Sequence, residues 1–163
     1  QAFQAVKKSV SAIFQGEDSA EIAERDLSIW YSEMFMPCVT AGIIKPSDVV
    51  GYRSHQVYIR NSMHTPLSPD ALRDAMNTLF SLLKEEPEAG VRAILGHFLF
   101  TYIHPYMDGN GRVGRFLMNT MLASGGYDWL IIPVERRSEY MEALEKASVS
   151  RDIVPFVKFL SSI

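Results

Sequence analysis

Twelve consecutive residues, His104-Pro105-Tyr106-Met107-Asp108-Gly109-Asn110-Gly111-Arg112-Val113-Gly114-Arg115, bring together an imidazole, a carboxylate, closely spaced glycines and two guanidinium groups. Pro105 ends whatever helix precedes it, and Gly109 with Gly111 permits a tight turn whose backbone N–H groups can converge on an anion. A helix starting at that turn adds the positive end of its dipole. Arg112 and Arg115, three residues apart, stand on neighbouring faces of the first helical turn and offer forked donors to a polyphosphate. Asp108 is placed to hold a divalent cation against phosphate oxygens. His104 titrates near neutral pH and can exchange a proton beside the same turn. The chemistry such a set supports is grip on a phosphate-bearing ligand next to an acid or base.

Other readings of these residues have less behind them. Gly109 to Gly114 also spells G-x-G-x-x-G, but the dinucleotide fingerprint requires a preceding strand and a βαβ unit, and here a helical pattern and His-Pro precede it. No His-Glu-x-x-His or catalytic Ser-Gly pattern occurs, so zinc-protease and serine-hydrolase chemistry have no support. His97 lies inside an apolar helical run and reads as structural, whereas the sequence leaves His55 and His64 unassigned. Cys38, the only cysteine, excludes an intrachain disulfide and a cysteine zinc cluster, and its place on an apolar helix face reads as core packing.

The elements that must position the motif are helical. Apolar residues recur at helical spacing in Ala20–Ala41 through Leu27, Trp30, Tyr31, Met34, Phe35, Cys38 and Val39, with Gly42 as the stop. The same spacing predicts helices over Phe3–Phe14, Asp70–Lys84, Glu88–Tyr102, Gly111–Ser124, Ser138–Val149 and Asp152–Ser161. Ser68 or Asp70 is a candidate cap for Asp70–Lys84, and Ser138 and Asp152 for the last two. The Glu88–Tyr102 segment, with Val91, Ile94, Leu95, Phe98, Leu99 and Phe100, is apolar almost all round and is expected at the centre of the core. One stretch breaks the pattern: Gly51–Arg60 ends in β-branched and aromatic residues and reads as a short hairpin or extended flap before Pro66. With 163 residues, 47% of them hydrophobic, and no linker or repeat, residues 1–163 are expected to form one domain. A net charge of −3 disfavours general nucleic-acid binding. No apolar run reaches the ~20 residues of a membrane span, and no secretory leader is visible, so a cytoplasmic, membrane-free protein is expected. The start at Gln1 reads as the edge of a fragment.

At the motif the chain resembles the Fic family, whose hallmark is H-P-F-x-[D/E]-G-N-G-R-x-x-R. Tyr106 stands where Phe is usual, a conservative packing change. The resemblance extends from Val57–His64 through the helices on both sides of the motif. It implies an all-α helical core with a short β-hairpin flap over the active site. The activity it implies is Mg²⁺-dependent transfer of AMP from ATP to a Ser, Thr or Tyr hydroxyl of a target protein. By the same resemblance His104 is the general base and Asp108 the Mg²⁺ ligand. Gly109, Asn110, Gly111, Arg112, Arg115 and Asn119 are expected to bind the nucleotide, and the flap at Val57, Tyr58, Ile59 and Arg60 to register the target by main-chain pairing.

Family members often carry an inhibitory helix with [S/T]-x-x-x-E-[G/N], whose Glu pairs the second motif arginine. The nearest string here, Ser11-Ala12-Ile13-Phe14-Gln15-Gly16, has Gln in place of Glu and reads as part of an ordinary helix. An inhibitory segment is therefore expected upstream of Gln1 or in a separate protein. Two alternatives to AMP transfer stand beside it: removal of AMP or another phosphotransfer on the same scaffold, and a nucleotide-binding interaction module. Intact His104 and Asp108 argue against the module, and Gly111 argues against a kinase-like branch that has Lys at that position.

Overall fold

The computed structural model describes residues 1–163. Seven α-helices run in the order α1 (Ala2–Phe14), α2 (Ser19–Thr40), α3 (Leu72–Glu85), α4 (Ala89–Ile103), α5 (Asn110–Ser124), α6 (Arg137–Val149) and α7 (Val154–Ser161), with no β-strand. Asp18 caps α2 through its carboxylate, which accepts from the Ala20 and Glu21 N–H groups. Gly42, with φ of +71°, follows its end. α3 begins on a short 3₁₀ turn at Pro69–Ala71, and neither Ser68 nor Ala71 provides a side-chain cap, so the expected cap is not formed. Ser138 likewise falls inside α6 and does not cap it, whereas Asp152 accepts from the Val154 N–H.

The helical pair α4 and α5, joined by residues 104–109, is the axis of the molecule. α1 and α2 pack on α5, α3 packs on α4, and the α6–α7 pair closes the far end. The core runs through Leu27 and Trp30 of α2, Met76 and Leu79 of α3, Phe100 of α4, and Val113, Leu117 and Met121 of α5. The Trp30 indole N–H donates to Ser9 and the Ser9 hydroxyl to Asp26, so this polar cross-link between α1 and α2 is satisfied inside the core.

Three expectations are corrected. α4 is not enclosed all round: Ala93, His97 and Phe100 face inward while Val91 and Leu95 remain exposed, because no element covers that side. Cys38 is half-buried, since the last turns of α2 extend past the core. The hairpin is absent, and residues 51–68 form an irregular strap with no strand pairing. Its bonds to the body are few, from the Arg53 side chain to the His104 carbonyl, the Arg53 N–H to the Pro105 carbonyl, His64 to the Tyr102 carbonyl, and Ser62 and Met63 to Glu145, while Arg53 and Gln56 also hold the strap to itself at His55, Leu67 and Pro66. A chain anchored in this way has no second strand to pair with.

Candidate active site

α4 ends at His104, which adopts a left-handed conformation at φ 56° and ψ 60°. This conformation costs a non-glycine residue of the order of 1 kcal/mol, and it turns the chain sharply into Pro105. The imidazole folds back so that Nδ1 lies 3.0 Å from the Thr101 carbonyl oxygen. A carbonyl only accepts, so Nδ1 carries the proton of the neutral ring and Nε2 holds the lone pair. Burial holds His104 below the ordinary imidazole value. Arg53 and His64 push the same way, and the Thr101 carbonyl and Asp108 oppose them. The group is therefore a neutral base with its basic nitrogen directed away from the helix.

The loop that follows is closed by Asn110. Its amide is buried and pairs reciprocally with Tyr106, accepting from the Tyr106 N–H at 2.9 Å and donating to the Tyr106 carbonyl at 2.8 Å. The Tyr106 ring stacks on Tyr31 of α2 with centroids 3.7 Å apart. Burial raises the Tyr106 hydroxyl far above its usual range, so it stays neutral. Gly109, at φ 79°, is the N-cap of α5, and a Cβ there would sit 2.6 Å from Met34 Cε. Both the dihedral and the space therefore require glycine.

α5 starts with no side-chain cap and no acidic residue in its first turn. Its first intrahelical bond is Val113 N–H to the Gly109 carbonyl, so the N–H groups of Asn110, Gly111 and Arg112 have no backbone partner. Neither Arg112 nor Arg115 pairs with a carboxylate of the chain. The Arg112 guanidinium lies over the Phe35 ring at 5.4 Å. Arg115 lies against Tyr140, whose hydroxyl meets His97 Nε2 at 2.7 Å. His97 is fully buried and its pKa is lowered to about 4 by burial, as expected of a structural histidine. A free helix N-terminus flanked by two guanidinium groups without counter-ions is a site for a polyanion.

Arg112, Arg115, Phe116 and Asn119 also line a cavity of about 200 Å³, closed on the other side by Trp129–Ile132. Asn119 is buried, and its amide is spent on main chain: it donates to the Arg115 and Leu130 carbonyls and accepts from the Leu130 N–H. It thereby fixes the cavity wall and keeps no N–H for an anion. A wider recess of about 650 Å³ between the starts of α1 and the end of α2 carries only Glu33 as a charged side chain. Charge rather than volume marks the motif side as the site.

Asp108 is exposed; its Oδ1 accepts from the Gly109 N–H at 2.6 Å. No three His, Cys, Asp or Glu side chains gather as a metal cage anywhere in the chain. One exposed carboxylate beside a turn with free N–H groups fits Mg²⁺, which keeps most of its water and shares its ligands with substrate phosphates.

The strap lies along the α4 end of this site. No N–H from Ser54 to Asn61 donates to another main-chain group. Tyr58 is 78% exposed and Arg60 is exposed, with Val57 and Ile59 half-buried. His64 is buried, packs its ring against Tyr102 at a 31° tilt and donates from Nε2 to the Tyr102 carbonyl at 2.8 Å, a structural role the sequence did not assign. His55 stays exposed, with Nδ1 3.1 Å from the Ser54 hydroxyl. Sequence reasoning missed Arg53, the Phe35 ring beneath Arg112 and the Trp129–Ile132 wall. Only Arg53 left a trace, as a cation beside Tyr52 at the start of the stretch that breaks the helical pattern.

A family model described as the Fic/DOC family matches residues 30–122. The protein adenylyltransferase Fic of Drosophila virilis is 37% identical over 124 residues, which cover 74% of this chain and 25% of the relative. The protein of the same name from Nematostella vectensis is 39% identical over 124 residues, covering 74% of this chain and 28% of the relative. The chain spans about a quarter of the length of these curated relatives. Among solved structures, Fic-1 from C. elegans superposes with a TM-score of 0.78 at 25% identity, covering 99% of this chain and 46% of that one. A Fic domain containing signaling protein from Bacteroides thetaiotaomicron shares the fold with a TM-score of 0.73 at 22% identity, over 99% of this chain and 64% of its own. The chain belongs to the Fic/DOC family. No helix is long and apolar enough to cross a membrane.

Proposed function

We propose that this chain is a protein adenylyltransferase domain, moving AMP from ATP to a Ser, Thr or Tyr hydroxyl of a target protein. The observation that carries the reading is the His104 imidazole, whose Nδ1 is committed to Thr101 while Nε2 keeps its lone pair, six residues before the uncapped start of α5. His104 Nε2 takes the acceptor hydroxyl proton, the oxygen attacks the α-phosphorus, and pyrophosphate departs. The free N–H groups of Asn110, Gly111 and Arg112, with the Arg112 and Arg115 guanidinium groups, hold the phosphates and stabilise the charge that develops on them. Asp108 would hold Mg²⁺, which when bound neutralises phosphate charge. Such transfer demands mostly positioning and electrostatics from the protein. The strap at 57–60 is the acceptor-docking edge in this reading, supported by its main-chain N–H groups, none of which donates within the chain. The adenylyltransferase names of the relatives support it.

ATP labelled in the α-phosphate, incubated with the chain and candidate acceptor proteins, tests the proposal. Label fixed covalently on protein, and lost with His104→Ala, is the expected result. Release of label from a pre-modified protein would favour the reverse reaction, and label bound without covalent capture would leave only a nucleotide-binding module.

A further inference from the structure

The last carbonyls of a helix have no intrahelical partners and need outside donors. At the end of α4 the strap supplies them. His64 donates to the Tyr102 carbonyl at 2.8 Å, Arg53 Nε donates to the His104 carbonyl at 2.8 Å, and the Arg53 main-chain N–H donates to the Pro105 carbonyl at 2.9 Å. Arg53 is 6% exposed and pairs with no carboxylate. Its remaining guanidinium N–H groups return to the strap itself, to the carbonyls of His55 at 2.9 Å and of Leu67. A buried cation without a counter-ion is costly, and burial lowers its pKa accordingly. What compensates is a set of carbonyl oxygens and the negative end of α4. The arrangement occurs where the chain also holds a left-handed, non-glycine residue.

We infer that Arg53 is a positioning residue. One planar fork ties the main chain of His104 to both ends of the strap, so it sets where Nε2 stands relative to a hydroxyl docked on that strap. This deepens the AMP-transfer reading and rests on it. The groups whose charge reaches His104 are Arg53 and His64 of the strap and Asp108 of the loop, with the Thr101 carbonyl on its own helix. Arg53 therefore acts on the base twice, through the geometry of its main chain and as a fixed positive charge.

Three variants separate the two actions. Arg53→Gln and Arg53→Met remove fork and charge. Both should bind ATP within about twofold of the parent, by calorimetry, and lose about tenfold to a hundredfold in kcat for the acceptor protein, the scale of a small misplacement. The NMR titration midpoint of His104, assigned among the four histidines by its loss in His104→Ala, should move to higher pH. Arg53→Lys keeps a charge, but its single nitrogen cannot reproduce the spread of Nε, Nη1 and Nη2 over three separate carbonyls, so it should lose kcat while the midpoint stays low. Parent-level kcat in Arg53→Lys would overturn the positioning role, and that variant decides the matter if the neutral ones fold poorly. An unmoved midpoint in Arg53→Gln and Arg53→Met would overturn the electrostatic part. If the parent itself transfers no AMP, the functional reading falls; the His104 midpoint is still measurable and still decides whether Arg53 acts on that residue.

Discussion

The two walls of the site are built by opposite means. The α4–α5 wall is a short segment whose every turn is locally determined. Gly109 supplies φ 79°, Asn110 closes on Tyr106, and α5 begins uncapped. The strap wall has no regular structure and takes its shape from distant contacts. Arg53 reaches carbonyls near 104, and Ser62 and Met63 donate to Glu145 of α6 at 2.5 and 2.7 Å. The lesson concerns what each wall can tolerate. Side chains pack and pin the first, so a single atom matters. The second presents free main-chain N–H groups between two pinned ends, so its exposed side chains matter little and its backbone donors matter a great deal.

The strongest way to break the comparison is at the base. His104→Ala should lower AMP transfer by about 10²–10⁴, the usual value of a general base, while calorimetry finds ATP affinity nearly unchanged. Full transfer by the variant would remove His104 from the role.

The second prediction concerns acid. His97 is buried neutral with a pKa lowered to about 4 from the usual 6.5. The unfolded chain then binds the extra proton first, so stability is fully present above the unfolded value and declines as pH falls from 6.5 towards 4. By linkage the loss is of the order of 3 kcal/mol. Urea unfolding between pH 7 and pH 4 measures it, and a His97→Gln variant should show a flatter profile over that window.

Gly109→Ala probes how tightly the first wall is packed. The new methyl would meet Met34 Cε at 2.6 Å and Phe35 Cε2 at 2.9 Å in a left-handed backbone. Overpacking and strain together should cost about 2 kcal/mol, seen as a lower urea midpoint with weaker ATP binding. The equivalent exchange at Tyr58, Tyr58→Ala, should leave stability within about 0.5 kcal/mol, as for other exposed sites.

The mildest change sharpens the strap. Tyr58→Pro or Ile59→Pro deletes one main-chain donor that no other part of the chain uses. Stability and ATP binding should hold, while acceptor modification falls by about tenfold, near the worth of one or two main-chain hydrogen bonds. Unimpaired modification by both proline variants would show that docking does not use pairing at these positions.

Seven helices and the whole motif could be read from the sequence because their causes are local. Leu27, Trp30 and Tyr31 mark one helix by their spacing, and His104 to Arg115 carry the turn in their own dihedral preferences. The same local patterns misled where a neighbour decides. The β-branched and aromatic residues Val57, Tyr58 and Ile59 imitate a strand, but a strand requires a partner and the chain pairs none with them. Val91 and Leu95 read as core, yet burial depends on whether another helix lies over them. Asn119, expected to bind the nucleotide, has its amide bonded to the Leu130 main chain, a partner that no local pattern names.

What the sequence alone determined, then, is the helix order, the glycine turn, and the presence of a base, a carboxylate and two arginines beside it, all consequences of short-range sterics and periodicity. Only the tertiary structure decided which nitrogen of His104 is free, which amides are already occupied, and that Arg53 reaches the end of α4 from 51 residues away. Those outcomes depend on hydrogen-bond partners brought together by packing, and no local pattern encodes which buried donor will find which carbonyl.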